Sequence, residues 1–137
     1  MHLTSFTDYG LRVLMRMAGA TDRAFTTAEL ASEFQVSRNH LAKVISALSA
    51  GGLLVSRRGA GGGVKLARPP EMIRLGDVVA LLESGQALVE CFQPDNTACT
   101  LLPRCRLKSR LAHAEAAFVA DLNRGTLADC AWHPADV

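Results

Sequence analysis

A mainly α fold is predicted, a winged helix-turn-helix region followed by a long C-terminal helix, and three observations predict it. Two short amphipathic stretches, Thr27 to Phe34 and Arg38 to Ala50, are separated only by Gln35-Val36-Ser37, the tight turn of a helix-turn-helix. Directly after them, two short apolar-rich runs flank a glycine-rich turn carrying paired arginines, the pattern of a basic-tipped β-hairpin. Further on, Leu107, Leu111, Ala114, Phe118 and Leu122 recur at spacings of four, three, four and four, one stripe of a long helix.

The first helix spans Leu3 to Ala20. Leu11, Leu14, Met15 and Ala18 recur at helical spacing, and Arg12 and Arg16 lie one turn apart on another side. Thr7 is placed as its cap and Asp8 in its first turn, where a carboxylate complements the helix dipole. Gly19 and Thr21-Asp22-Arg23 mark the exit. Thr26-Thr27-Ala28-Glu29 reads as a capping box for the second helix, with Leu30, Ala31 and Phe34 turned inward. Ser37 caps the third helix, whose apolar face is Leu41, Val44, Ile45 and Leu48, and Gly51-Gly52 stops it with left-handed backbone.

Leu53 to Ser56 is a strand, Arg57 to Gly63 a turn and Val64 to Ala67 the return strand. The glycine run lacks Walker spacing, and Lys65 precedes Leu66 rather than Ser or Thr, so a phosphate-binding loop is excluded. A flexible linker is the bland alternative; the flanking strands with Arg57 and Arg58 favour the hairpin. Arg68-Pro69-Pro70 breaks the chain, and Leu75 to Glu83 forms a fourth helix. The long helix runs from Pro103 or Cys105 to about Asn123, and Gly125 ends it. Its single apolar stripe reads as dimer packing, with packing onto its own domain as the alternative. Residues 126–137 are expected to be short and frayed.

The 137 residues divide into an expected DNA-binding region, 1–70, and a region, 71–137, holding a cluster-binding loop and the dimerisation helix. Charge follows the same division. Residues 1–70 carry nine Lys and Arg against four Asp and Glu, a net of +5, whereas residues 71–137 carry six against nine, a net of −3. A basic first half suits a polyanion partner. Met1 is followed by neither a basic segment nor an apolar one, and no stretch is long enough for a membrane span, so a cytoplasmic location is expected. Thiols there stay reduced, which makes metal binding or redox sensing the natural use of four cysteines. No Ser/His/Asp or Cys/His constellation and no nucleotide fingerprint is present, and no enzymatic activity is expected.

Two groups of residues carry chemistry. Ser37, Arg38, Asn39, His40 and Lys43 crowd the leading half of the third helix, off its apolar face. Arg reads guanine and Asn reads adenine by paired hydrogen bonds, while Lys and Ser suit phosphates. Arg57, Arg58 and Gly61 sit in the hairpin turn and add backbone contacts. Each alone is an ordinary solvated residue; together they describe a double-stranded DNA surface. The second group is Cys91, Cys99 and Cys105, three thiols in fifteen residues broken by two prolines. An iron-sulphur cluster suits thiolates in such a loop. Structural zinc prefers two-residue knuckles, which are absent, and a thiol switch needs only two of the three. A four-iron cluster wants a fourth ligand, for which Asp8, Cys130, His113 and Glu90 are candidates.

The stretches Leu3 to Arg12, Ser37 to Val44, Arg58 to Ala67, Val89-Glu90-Cys91-Phe92 and Thr126 to Asp129 together resemble the Rrf-type winged-helix repressors, in particular their nitric-oxide-sensing branch. The resemblance covers nearly the whole chain. It implies a homodimer holding a 4Fe-4S cluster, or a 2Fe-2S form, through Cys91, Cys99 and Cys105. A carboxylate matching Asp8, reaching across from the other subunit, would complete the shell. It implies DNA binding that nitric oxide relieves. Iron-sulphur-supply regulators of the same family carry a His three positions after the last loop cysteine. Lys108 stands there in this chain, and seven residues separate Cys91 from Cys99, a wide first gap.

Overall fold

The structure is a computed structural model that describes residues 1–95 and 99–136. Five α-helices and one hairpin follow in the order α1 (Ser5–Ala18), α2 (Thr27–Phe34), α3 (Arg38–Ala50), β1 (Leu54–Arg57), β2 (Gly63–Leu66), α4 (Leu75–Leu82) and α5 (Arg106–Leu122). Short 3₁₀ turns at Pro70–Met72, Glu90–Phe92, Leu127–Cys130 and Pro134–Asp136 complete the chain.

Helix boundaries follow local chemistry. The cap of α1 is Thr4, whose hydroxyl accepts from the Thr7 amide at 3.2 Å; Thr7 itself is fully buried and does not cap. Thr4 fits the role because its backbone is extended while the helix has already begun at Ser5. Asp8 lies in the first turn as expected. In α2 the capping box is complete, with Thr26 accepting from the Glu29 amide and Glu29 accepting from the Thr26 amide. Gln35, at φ 55°, ends α2 in the left-handed region without a glycine. Only Gly52 of the pair after α3 is left-handed, at φ 77°. Gly51 is small for another reason: a Cβ there would strike the Leu81 side chain.

The hairpin pairs Leu54 with Leu66 through Arg57 with Gly63, so both strands sit one residue from their expected ends. One buried apolar cluster joins Val13, Leu14 and Met17 of α1 to Leu41, Val44 and Leu48 of α3, and takes Ile73, Val78, Leu82 and Leu127 from beyond residue 70. Residues 126–136 are therefore not frayed. Leu127 is fully buried, its amide donates to the Ile73 carbonyl at 2.8 Å, and the Trp132 amide donates to the Met15 carbonyl at 3.0 Å. A single buried leucine and a second capping box, Thr126 with Asp129, are too short a signal to register as periodicity.

Helix α4 begins without a cap of its own. Its N3 amide, that of Asp77, donates instead to Asn123 Oδ1 at 2.9 Å, and Asn123 Nδ2 returns a bond to Asp77 Oδ1 at 2.9 Å. A residue 46 positions later thus supplies the missing cap, and it ties the end of α5 to the start of α4. Gly76 permits the approach, since a Cβ there would run into the Val119 carbonyl. None of the 17 residues of α5 is fully buried, and Leu107 is 63% exposed.

Candidate nucleic-acid interface and cysteine loop

Ser37, Arg38, Asn39 and Lys43 are all exposed at the leading end of α3, and His40 is half-buried. Ser37 Oγ accepts from the His40 amide at 3.0 Å, which leaves its hydroxyl proton available to a phosphate. The first turn of α3 contains no acidic residue, so its amides and positive dipole end face an anion without competition. His40 is not a free donor in the way its neighbours are. Its ring meets Tyr9 of α1 edge-to-face at 5.2 Å between centroids, which braces the leading turn of α3 against α1.

The hairpin follows α3 after three residues and presents Arg57, Arg58 and Gly61 in the open. Gly59 and Gly61 have φ of 94° and 74°, and the Gly62 amide donates to the Gly59 carbonyl at 2.9 Å. The glycines thus shape a tight tip rather than a linker. Basic side chains at its base and an extended backbone at its sides give it the form of a wing.

Cys91, Cys99, Cys105 and Cys130 are all unpaired and half-buried. Cys91 lies in the 3₁₀ turn Glu90–Phe92, and Cys105 is the N-cap residue of α5, without a side-chain capping hydrogen bond. Cys91 lines an open cavity of about 610 Å³ together with Phe92, Leu102, Lys108 and Ala112. The larger cavity, about 660 Å³, is elsewhere, between residues 1–4, α4 and α5, and no cysteine lines it.

In kind, these donors fit a thiolate-held cluster: three free thiols, partly reachable, on one segment poor in competing nitrogen ligands. Among the described residues no three His, Cys, Asp or Glu side chains converge to hold a metal ion. Residues 96–98, within the loop, lie outside the described residues. Asp8 is engaged elsewhere, accepting from Arg12 Nε at 3.2 Å and Nη2 at 2.7 Å. The Arg12 guanidinium also stands 5.7 Å from the Tyr9 ring centre. Asp8, Arg12, Tyr9 and His40 therefore form a continuous run of contacts from α1 to the leading end of α3. Tyr9, which shares one turn with Asp8 and Arg12 in the sequence, is the link between them and His40.

The profile of the Rrf2 family, described as iron-dependent transcriptional regulators, matches residues 3–132. Among solved structures, the chain is similar to CymR (YrzC), the global cysteine regulator of B. subtilis. The two are 26% identical, with a TM-score of 0.72 over 96% of each chain. T. potens IscR is 25% identical with a TM-score of 0.73, over 94% of this chain and 85% of that one. The oxidized form of Staphylococcus aureus CymR is 26% identical with a TM-score of 0.71, over 97% and 98%. The described architecture is that of a winged-helix regulator in each case. With a family match across nearly its whole length and the same fold in its relatives, this chain belongs to the Rrf2 family of transcriptional regulators and is not an enzyme.

Proposed function

We propose that the chain is a homodimeric transcriptional repressor of the NsrR type, whose hold on a palindromic operator depends on an iron-sulphur cluster and is released by nitric oxide. The observation that carries the reading is the placement of three free thiols, Cys91, Cys99 and Cys105, on one segment leading into α5, downstream of a basic helix-turn-helix and wing. Cys91, Cys99 and Cys105 would hold the cluster, a 4Fe-4S centre or its 2Fe-2S form, with Asp8 of the partner subunit as the fourth ligand. When bound, such a cluster offers iron that reacts with nitric oxide, most readily where an oxygen ligand replaces a thiolate.

The chain's own residues do the rest. Arg38 and Asn39 read base edges in the major groove, while Ser37, His40 and Lys43 hold phosphates. Arg57, Arg58 and Gly61 bring the wing to the neighbouring backbone. Asp8 is placed to couple the two halves, because its alternative partner, Arg12, rests on the Tyr9 ring that braces His40. A change in what holds the Asp8 carboxylate is felt two contacts away at α3. Nothing in the described helices is long and apolar enough to cross a membrane, which suits a regulator that meets DNA in the cytoplasm.

A second reading, sensing of iron or of cluster supply, is favoured by the family's iron-dependent description and by the likeness to T. potens IscR. Lys108, in place of a histidine three positions after Cys105, favours nitric oxide. One experiment separates them. Protein purified without oxygen is assayed for iron, sulphide and affinity for a duplex selected from a random pool, before and after stoichiometric nitric oxide. The proposal expects cluster-dependent binding that one to a few equivalents of nitric oxide abolish, and a Cys99→Ala dimer that is folded but no longer regulated. Affinity that follows cluster loading, with nitric oxide no more potent than other cluster damage, establishes the second reading. Affinity indifferent to both sinks the mechanism.

A further inference from the structure

Phe25 lies where the α1–α2 loop meets the wing, and it is fully buried. Its backbone acts as a third strand: the Phe25 amide donates to the Val64 carbonyl at 2.8 Å, and the Val64 amide donates to the Phe25 carbonyl at 2.7 Å. Beside this pair, Gly63 has φ 144°, and a Cβ there would run into the Phe25 carbonyl. The inner strand of the wing is therefore seated on the Phe25 backbone, and the wing stands where Phe25 stands.

Two guanidinium groups stand against the Phe25 ring. Arg16 of α1 lies 4.8 Å from the Phe25 ring centre and Arg23 lies 3.7 Å from it. Each is in turn fixed to α2, Arg16 through Glu33 Oε1 at 2.7 Å and Arg23 through Glu29, the capping-box residue. Arg16 is only 6% exposed, and its Nη1 has no hydrogen-bond partner among the described residues. For stability alone that is a poor choice. A buried cation with an incomplete set of hydrogen bonds is less favourable than an apolar side chain of similar length. What it supplies is direction, since a planar cation attracted to a ring face and held by a carboxylate orients that ring.

We infer that Arg16, acting through Phe25, is a positioning residue that sets the wing relative to the helix-turn-helix and so determines whether the wing's arginines reach DNA phosphates. The inference rests on the DNA-binding reading of the chain and extends it to a residue that is itself too buried to touch DNA. It predicts that losing the Arg16 stack removes phosphate contacts made by other residues.

The test uses the full-length dimer and a short mixed-sequence duplex, whose non-specific binding depends on phosphate contacts alone. Affinity is measured over a range of salt concentrations. Each lost phosphate contact lowers the slope of log K against log salt by about 0.9. Arg57→Ala calibrates the loss of one wing contact. Arg16→Met is expected to lower the slope by about one to two while the protein still melts cooperatively. A fall in folded fraction alone would shift the affinity and leave the slope in place. Glu33→Gln keeps the side chain's shape but removes the charge that holds Arg16 to α2, and a cooperative melt checks that it folds. If charge were all that mattered, removing this acid would strengthen DNA binding; the inference expects weaker binding and a shallower slope. Unchanged slopes in both variants, or tighter binding by Glu33→Gln, would overturn it. A wild-type chain with no affinity for the duplex would overturn the DNA reading as well, a distinguishable result.

Discussion

Glu83 shows how much of this molecule's behaviour turns on single side chains. It sits at the end of α4, and its Oε1 accepts from the Thr4 amide at 2.8 Å and the Thr4 hydroxyl at 2.9 Å. Burial pushes its carboxyl up, but the Thr7 hydroxyl, the two Thr4 donors and the nearby His2 outweigh burial and hold it below the usual glutamate range. The sign of the consequence follows. A carboxylate whose pKa is lower in the folded state adds stability above its unfolded value, and that stability is lost as pH falls through the folded value. Glu83→Gln is accordingly expected to lower Tm at neutral pH. The difference from wild type should shrink as pH drops from about 4.5 downward. A thermal melt series in that range checks it. No part of this contact is legible in sequence, because Thr4 and Glu83 are 79 positions apart and neither carries a motif. Arg16 escaped for a related reason. Helical spacing puts it on a side other than the apolar one, whereas the α1–α2 loop folds back over it and buries it against Phe25.

At the scale of elements, local signals were sufficient wherever the element's own ends carried the information. The Thr26–Glu29 box, the Ser37 cap and the Leu41–Leu48 face of α3 all stand as read. The start of α4 was placed at Leu75 correctly, yet what holds it there is Asn123 at the far end of α5. A lost cap costs about 1 kcal/mol. Asn123→Ala is expected to destabilise the chain by at least that much, because it removes both bonds to Asp77 and loosens α5 from α4. A shift of the urea midpoint with unchanged m-value would record it. The last eleven described residues reverse the opposite expectation. They look like a frayed tail because their docking rests on one leucine and on main-chain bonds to Ile73 and Met15, which leave no periodic trace.

For the whole molecule, the informative feature is what stays uncovered. Helix α5 is as long as predicted and carries the predicted stripe; its C-terminal end is anchored to α4 through Asn123, and Leu107 at its leading end is 63% exposed. An exposed leucine on a stripe that begins beside the cysteine segment suits a partner surface, consistent with a dimer. Leu107→Glu touches nothing in the single chain's core. It is expected to leave helix content unchanged and shift the protein toward monomer in sedimentation. A dimer of unaltered strength would place the interface elsewhere. The cysteines belong to the same scale. Their spacing groups them, yet among the described residues no three donors converge, and Asp8 is held by Arg12 within its own helix.

By itself the sequence determined the order of elements, the helix-turn-helix with its wing and the polar leading end of α3, and it showed three thiols within fifteen residues. These are properties of spacing and of residue chemistry, and both are local. Only the tertiary structure decided that Thr4 rather than Thr7 begins α1, that Asn123 caps α4 and that residues 126–136 are docked. It also decided that a buried arginine, Arg16, and an exposed one, Arg23, both lie against the Phe25 ring beside the wing. The Asn123 cap and the docking of residues 126–136 join groups far apart in the chain, and the Thr4 cap and the Arg16–Phe25 contact follow from side-chain placement; periodicity carries none of these.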